Sequence, residues 1–237
     1  MFNLTQFSLT DGMALTLFAL CWLVYAFATG NSLIRQPSLN MLMNRERENW
    51  MRTMATRELR VIDTSILAGL QQGTAFFAST SVFAIGGCFA LMNASDQVIA
   101  VSASLPFSIP ASSALFETKA ALLLMIYCYA FFKFAWSYRL QNYCSILVGA
   151  VPLILNEQKV TAEVTSASLK ALKFNTLAGT HFNAGLRAIF FSIGFIGWFA
   201  GPQVFIFSTL FILAVLVRRQ FFSRARAALL PGADNGQ

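Results

Sequence analysis

The sequence predicts an all-α fold, a polytopic membrane helical bundle with about five transmembrane helices and amphipathic cytoplasmic helices. Of the 237 residues, 57% are hydrophobic and only 11% are charged, whereas about a quarter of the residues in a soluble domain carry charge. The hydrophobic residues form long runs, and most Lys and Arg residues lie between those runs. The net charge of +7 is therefore typical of a membrane protein that keeps its cations on one side, and no nucleic-acid partner is expected.

A single membrane domain, residues 1–237, is predicted to cross the bilayer with segments at about 9–29, 61–92, 115–138, 182–199 and 203–219. The last two segments come from one apolar run, which Gly201 and Pro202 divide because proline cannot continue the helical hydrogen-bond ladder. One kinked helix is the alternative. A hairpin leaves every Lys and Arg except Lys119 on one side of the membrane. The positive-inside rule then favours the hairpin, with the N-terminus outside and the C-terminus inside.

Two cytoplasmic segments, residues 32–60 and 139–180, have the pattern of amphipathic helices. Ser38 is suited to cap the first helix. The apolar arc of that helix comprises Leu39, Leu42, Met43, Trp50, Met51 and Met54. This arc either faces a partner surface or lies among lipid headgroups. The second apolar arc comprises Val160, Val164, Ala167, Ala171 and Phe174.

Two further segments are assigned by their composition. The apolar run 143–155 is short for a span, and Pro152 ends it, so it either extends the third span or lies on the membrane surface. The Ser-rich loop 93–114 contains no Lys or Arg and is predicted to be external. The first span is expected to be retained, because residues 1–10 contain no Lys or Arg to form the basic region of a cleaved signal.

Residues that could carry catalysis are scarce. The four cysteines form no C-x-x-C pair, and three of them lie in apolar spans, so free thiols are expected. His181 is the only histidine, which leaves no His-based metal cluster within one chain. No nucleophile, metalloprotease or phosphate-binding motif occurs. No enzymatic activity, catalytic residue, metal or cofactor is therefore predicted.

The most informative residues lie in the second span, where Gln71 and Gln72 occur about 15 Å from its start, close to the bilayer midplane. Hydrocarbon offers a side-chain amide no hydrogen-bond partner, so such residues face a neighbouring helix or a wet cavity. The residues assigned to a pore or polar interior are Gln71, Gln72, Thr74, Ser79 and Ser81. They either bond between helices or line a pore formed by several copies of the chain.

Small residues and cations complete the set of candidates. The glycine pairs Gly69 with Gly73 and Gly197 with Gly201 have the spacing that allows helices to approach closely. Candidate contacts with anionic lipid headgroups are Lys133, Arg187 and His181. Glu117 and Lys119 are expected to reach the external headgroups by extending their side chains along the lipid. The alternative for Glu117 is a place in an external vestibule.

Several sequence blocks resemble the family known as domain of unknown function 599 (DUF599). The blocks are Pro37-Ser38-Leu39-Asn40, Trp50-Met51-Arg52, the run from Gln71 to Thr80, Asn142-Tyr143, Gly185-Leu186-Arg187-Ala188 and the run from Gly197 to Pro202. The resemblance covers nearly the whole chain and implies an uncharacterised, chiefly bacterial integral membrane protein. It implies no reaction, ligand or site.

The leading functional hypothesis is a homo-oligomeric channel or permeation pathway lined by the second span, in the bacterial inner membrane. A partner subunit or assembly scaffold that transports nothing is the alternative, with another membrane protein as its partner. A membrane enzyme that acts on lipid is the third hypothesis.

Overall fold

The computed structural model describes residues 8–30, 36–103, 112–154 and 161–230. Throughout this part of the chain the regular structure is helical and no strand occurs. The α-helices are α1 (Leu9–Gly30), α2 (Leu39–Ala55), α3 (Val61–Asn93), α4 (Ser95–Ala103), α5 (Ser113–Gly149), α6 (Ala162–Ile196), α7 (Pro202–Phe221) and α8 (Arg224–Ala227). A short 3₁₀ helix, Gly197–Ala200, follows α6.

Five helical segments are long and apolar enough to cross a membrane, which confirms the predicted fold class. They are Leu9–Gly30, Val61–Asn93, Ser113–Gly149, Ala162–Ala200 and Pro202–Ala227. The helices extend beyond the predicted spans. α5 continues through Gly149, so residues 139–149 extend the third span, and α6 joins the predicted second cytoplasmic helix to the fourth span. At 37 and 35 residues and 1.5 Å per residue, α5 and α6 both exceed the roughly 30 Å hydrocarbon core.

The helices form a bundle in which α5 and α6 make the most extensive contact. α3 packs chiefly against α5 at one edge, whereas α7 packs against α6 and α1 against α7 at the other. A core of aromatic and aliphatic side chains joins α1, α6 and α7, with Phe18, Phe191, Phe195, Trp198 and Phe205 at its centre. Because α3 has few neighbours, most of its surface remains open.

The α6–α7 hairpin follows the predicted division at Gly201-Pro202. Gly201 has φ 130°, a conformation that a side chain disfavours. Pro202 begins α7, where its missing N–H leaves no hydrogen bond unmade. Gly197 lies directly against Ser208, so it has the packing role assigned to it. Gly201 supplies the turn instead of a helix contact.

The layer predicted to be cytoplasmic consists of α2 packed on the start of α6 and the end of α5. Ser38 accepts a hydrogen bond from the Met41 N–H and caps α2. Leu42, Met51, Met54 and Ala55 are buried, whereas Met43 of the predicted arc is exposed. Met51, Met54 and Ala55 form one hydrophobic cluster with residues of α5 and α6, which are Cys144, Val148, Val164 and Ala171. The two amphipathic patterns therefore face each other.

Some predictions fall on residues outside the described part of the chain. They concern residues 32–35 of the first cytoplasmic segment, residues 104–111 of the external loop, and Val160 of the second arc. Within that loop the structure has the helix α4, which the sequence analysis did not predict.

Candidate functional site on the two faces of α3

One face of α3 is buried along its whole length. The residues on this face are Asp63, Leu67, Thr74, Ser81 and Cys88. They recur at intervals of four and seven residues, which places them on one side of a helix. This inner face packs on α5 and includes two of the predicted polar residues, Thr74 and Ser81.

Gln71 and Thr74 belong to a polar seam between α3 and α5. The Gln71 amide nitrogen donates hydrogen bonds to Asn142 Oδ1 at 2.9 Å and to Ser145 Oγ at 3.1 Å. Thr74 Oγ1 accepts a hydrogen bond from the Gln141 amide nitrogen at 3.0 Å. Ser81 donates to the Phe77 carbonyl of its own helix. Gln71 therefore ties two helices together and is not free to line a pore.

The opposite face of α3 carries Gln72. This residue is exposed, and no hydrogen bond from another described residue reaches its amide. Ser79, two turns further along, is also exposed. Phe76 and Phe83 share the face and project outward. Since Gln72 is 11 positions beyond Val61, it lies about 16 Å along the helix. The bonds of its neighbour Gln71 to Asn142 and Ser145 place it level with the part of α5 that extends beyond the predicted third span, not with the middle of that span.

The glycines of α3 line this outer face without touching another helix. A Cβ atom built on Gly69, Gly73, Gly86 or Gly87 would meet no atom within 4 Å. Gly69 and Gly73 therefore pack on no other helix among the described residues of one chain. Close packing of these glycines against another chain stays a prediction. The physical reason is that α5, the main neighbour of α3, occupies the side that carries Thr74 and Ser81. The outer face is defined here as Gly69, Gln72, Gly73, Phe76, Ser79 and Phe83.

A buried carboxylate fixes the start of α3. Asp63 accepts hydrogen bonds from the Trp50 indole nitrogen at 2.7 Å and from Arg57 at 2.6 Å. Arg60 donates to the Val148 carbonyl at 3.2 Å and to the Pro152 carbonyl at 2.9 Å, beyond the end of α5. Burial lowers the pKa of Arg60, and the charge of Asp63 opposes that shift. These bonds hold α2, α3 and α5 in one orientation.

A second polar link joins α2 to α6 and was not predicted. Arg47 donates to the side-chain and backbone oxygens of Asn175, and its guanidinium lies against Gly179. The Asn175 amide nitrogen contacts the Cys144 sulfur of α5. Burial lowers the pKa of Arg47. The guanidinium of Arg47 has room because Gly179 has no side chain. These two residues are far apart in the sequence, so one sequence does not reveal their contact.

Lys119 corrects the prediction that it extends to the external headgroups. Its side chain is buried, with 5% exposed. The ammonium group donates to the Trp198 carbonyl at 2.8 Å and lies 5.2 Å from the centre of the Trp198 ring. Asp11 accepts from the indole nitrogen of the same tryptophan at 2.6 Å. Glu117 accepts from Ser95. Trp198 thus connects α1 and α5 to the turn of the α6–α7 hairpin.

Of the three candidate headgroup residues, Lys133 and His181 lie close enough for their charges to interact, whereas Arg187 faces another helix. Lys133 lies 5.2 Å from the centre of the Tyr129 ring, and His181 contacts the Trp136 ring at 6.4 Å between centroids. Arg187 instead faces α1, where it donates to Thr29 Oγ1 at 3.4 Å. In the described ranges, no group of three or more His, Cys, Asp and Glu side chains could hold a metal ion.

The all-helical bundle, with five helices able to cross a membrane and a polar seam between two of them, is that of a multi-pass membrane protein. The chain belongs to the family described as Protein of unknown function, DUF599, whose model matches residues 13–225. This match confirms the resemblance carried by the blocks around Gln71 and Gly201. No curated protein and no solved structure matches the chain.

Proposed function

We propose that the protein is a homo-oligomeric permeation pathway for small neutral solutes or weakly selective ions, assembled around the outer face of α3. The observation that supports this proposal is the Gln72 amide, which is exposed on a helix able to cross a membrane and makes no hydrogen bond to another described residue. Transfer of an unbonded amide from water into an apolar medium costs about 4–8 kcal/mol. A second copy of the chain or a water-filled axis would remove that cost.

The chemistry of the outer face suits neutral or weakly selective passage. Its polar groups are the Gln72 amide and the Ser79 hydroxyl, neither of which carries a charge. Phe76 and Phe83 flank them and would narrow an axial opening. Charged rings, which make a pore selective for one sign of ion, do not occur on this face.

The experiment is flux through liposomes that contain the purified protein. Wild type is expected to pass a small neutral solute or ions faster than empty liposomes. Gln72→Leu keeps the size of the side chain but removes its amide, and at least a tenfold lower flux is expected. Gln97→Leu is the matched control, because Gln97 is exposed on α4, away from the outer face. Wild-type flux equal to that of empty liposomes would overturn the proposal.

The glycines of the outer face favour a second candidate, an assembly scaffold that transports nothing. Gly69 and Gly73 leave a surface against which another helix can pack closely, and such packing requires no wet axis. In this case Gly69→Leu would dissociate the assembly, as measured by its mass in mild detergent, while liposomes with wild-type protein would show no flux. A pull-down that recovers only this chain would contradict a role as subunit of a mixed complex.

The third hypothesis, an enzyme acting on lipid, places Lys133, Arg187 and His181 near the lipid headgroups. Lys133 lies close enough to His181 for its charge to act on the imidazole, whereas Arg187 faces α1. The test of this hypothesis remains direct: His181→Ala would change the lipid composition of cells that produce the protein, and an unchanged composition would argue against it.

A further inference from the structure

A small polar pocket lies at the end of the bundle where α1 and α7 terminate. Its volume is about 80 Å³, and its walls come from α1, α2, α6 and α7. The polar side chains that line it are Tyr25, Thr29, Asn40, Asn183, Arg187, Arg219 and Gln220. Since a water molecule occupies about 30 Å³ in the liquid, the space suits a few waters or one compact oxyanion group. The pocket lies apart from α3 and its outer face.

The pocket concentrates positive charge without an opposing carboxylate. Arg187 and Arg219 both line it, and none of its lining residues is Asp or Glu. The ion pairs found between described residues involve other arginines, Arg52 and Arg57. Arg219 lies 5.2 Å from the centre of the Phe190 ring, which orients its guanidinium without neutralising it.

Two residues that line the pocket each carry a buried hydrogen-bond donor without a partner among the described residues. Gln220 is only 7% exposed, and its amide nitrogen has no partner among the described residues. The same holds for Arg187 Nε. A buried donor without a partner costs about 1–3 kcal/mol, so both groups favour a ligand that accepts hydrogen bonds.

The start of α2 adds to the attraction for an anion. Leu39 and Asn40 form its first turn and line the pocket. The first N–H groups of a helix have no partner within the helix and carry a partial positive charge. A 17-residue helix that begins beside two arginines is suited to bind phosphate oxygens.

We propose that this pocket binds the phosphate group of an anionic phospholipid. Arg187 Nε and the Gln220 amide donate to the phosphate oxygens, and Arg219 balances their charge. The depth fits a headgroup, because α1 ends at Gly30 and α7 at Phe221 on the same side of the bundle. Leu186 and Phe190 also line the pocket and offer an apolar surface to the first part of an acyl chain. Basic pockets between transmembrane helices are known to hold such headgroups.

The test measures thermal unfolding of the full chain in a neutral detergent, titrated with phosphatidylglycerol. Added lipid is expected to raise the melting temperature of wild type, because a ligand that binds only the folded state stabilises it. Arg187→Gln is expected to bind the lipid about fivefold more weakly, as expected for one cation near a phosphate. Arg218→Gln is the matched control, since Arg218 is exposed in the same turn of α7 and does not line the pocket.

The variant Gln220→Leu distinguishes a loss of lipid binding from a loss of folding stability. Without lipid, this variant should be at least as stable as wild type, because it replaces an unpaired buried amide with an apolar group. With lipid, it should gain less stability than wild type.

A parallel titration with inorganic phosphate distinguishes the source of the ligand. If phosphate alone stabilises the protein and Arg187→Gln abolishes the effect, the ligand is a soluble phosphate and the proposal of a lipid is overturned. No stabilisation by either probe, or equal losses in Arg187→Gln and Arg218→Gln, would overturn the site.

Discussion

At the residue scale, Gly185 determines how closely α5 and α6 approach each other. A Cβ atom at this position would lie 2.6 Å from Cε1 and 2.7 Å from Cζ of Phe134. The Phe134 ring is fully buried and packs against the rings of Phe77 and Phe182, so it has little room to move. The central helix pair therefore depends on the absence of one methyl group.

Gly185→Ala is expected to destabilise the fold by about 1–3 kcal/mol, the usual cost of excess volume in a packed core. Unfolding in detergent, followed by circular dichroism, measures the change. Gly12→Ala is the control, because a Cβ at Gly12 meets nothing within 4 Å. A Gly185→Ala variant as stable as wild type would contradict this account of the contact.

Residues also show where prediction from sequence ends. The stripes of α3 place Gln71 and Gln72 on neighbouring faces, but both stripes contain small and polar residues, so hydrophobicity does not indicate which is inside. Gln71 faces inward because Asn142 and Ser145 of α5 offer hydrogen-bond partners to this glutamine alone. Lys119 was misassigned for a related reason: its acceptor is a backbone carbonyl at Trp198, and carbonyl exposure is not visible in a sequence.

At the scale of elements, the spans were predictable and the helix ends were not. Hydropathy indicates which residues lie in the hydrocarbon core of the membrane. A helix, however, continues into water until a residue breaks it. α5 contains no proline and no glycine before Gly149, so it continues beyond the membrane. The hairpin, in contrast, was predictable from Gly201-Pro202, because both residues restrict the backbone in a way that needs no knowledge of the tertiary structure.

Gly201→Ala is expected to destabilise the hairpin by about 1–2 kcal/mol, since an L-residue with positive φ brings its Cβ too close to the backbone. Denaturant unfolding in mixed micelles is the measurement. Gly149→Ala is a suitable comparison, because Gly149 ends α5 with open space around it and without a positive φ. Equal stability of the two variants would show that the turn relaxes at no cost.

At the scale of the whole molecule, charge predicts the orientation in the membrane. The arginines of α2 and of the α7 end lie at the same end of the bundle, since α2 contacts both α7 and α8. Arg226 of α8 donates to the Pro37 carbonyl, just before α2. The positive-inside rule assigns this end to the cytoplasm.

Cysteine labelling of intact cells tests the orientation. Ala100→Cys, exposed on α4, is expected to react with a membrane-impermeant maleimide, whereas Ala225→Cys, exposed on α8, should react only after permeabilisation. Wild type gives the background, because Cys21, Cys88 and Cys144 are buried. The reverse pattern of labelling would place the C-terminus outside.

The contacts of Trp198 have a consequence for biosynthesis. Lys119 precedes its acceptor by 79 positions and Asp11 precedes the same tryptophan by 187. When the ribosome has delivered α1, α3 and α5, neither ionisable side chain has yet met Trp198, although Asp11 already accepts hydrogen bonds from Ser8. This end of the bundle therefore closes only after the α6–α7 hairpin has been synthesised, so a chain truncated before Trp198 would leave Lys119 and Asp11 without this shared partner.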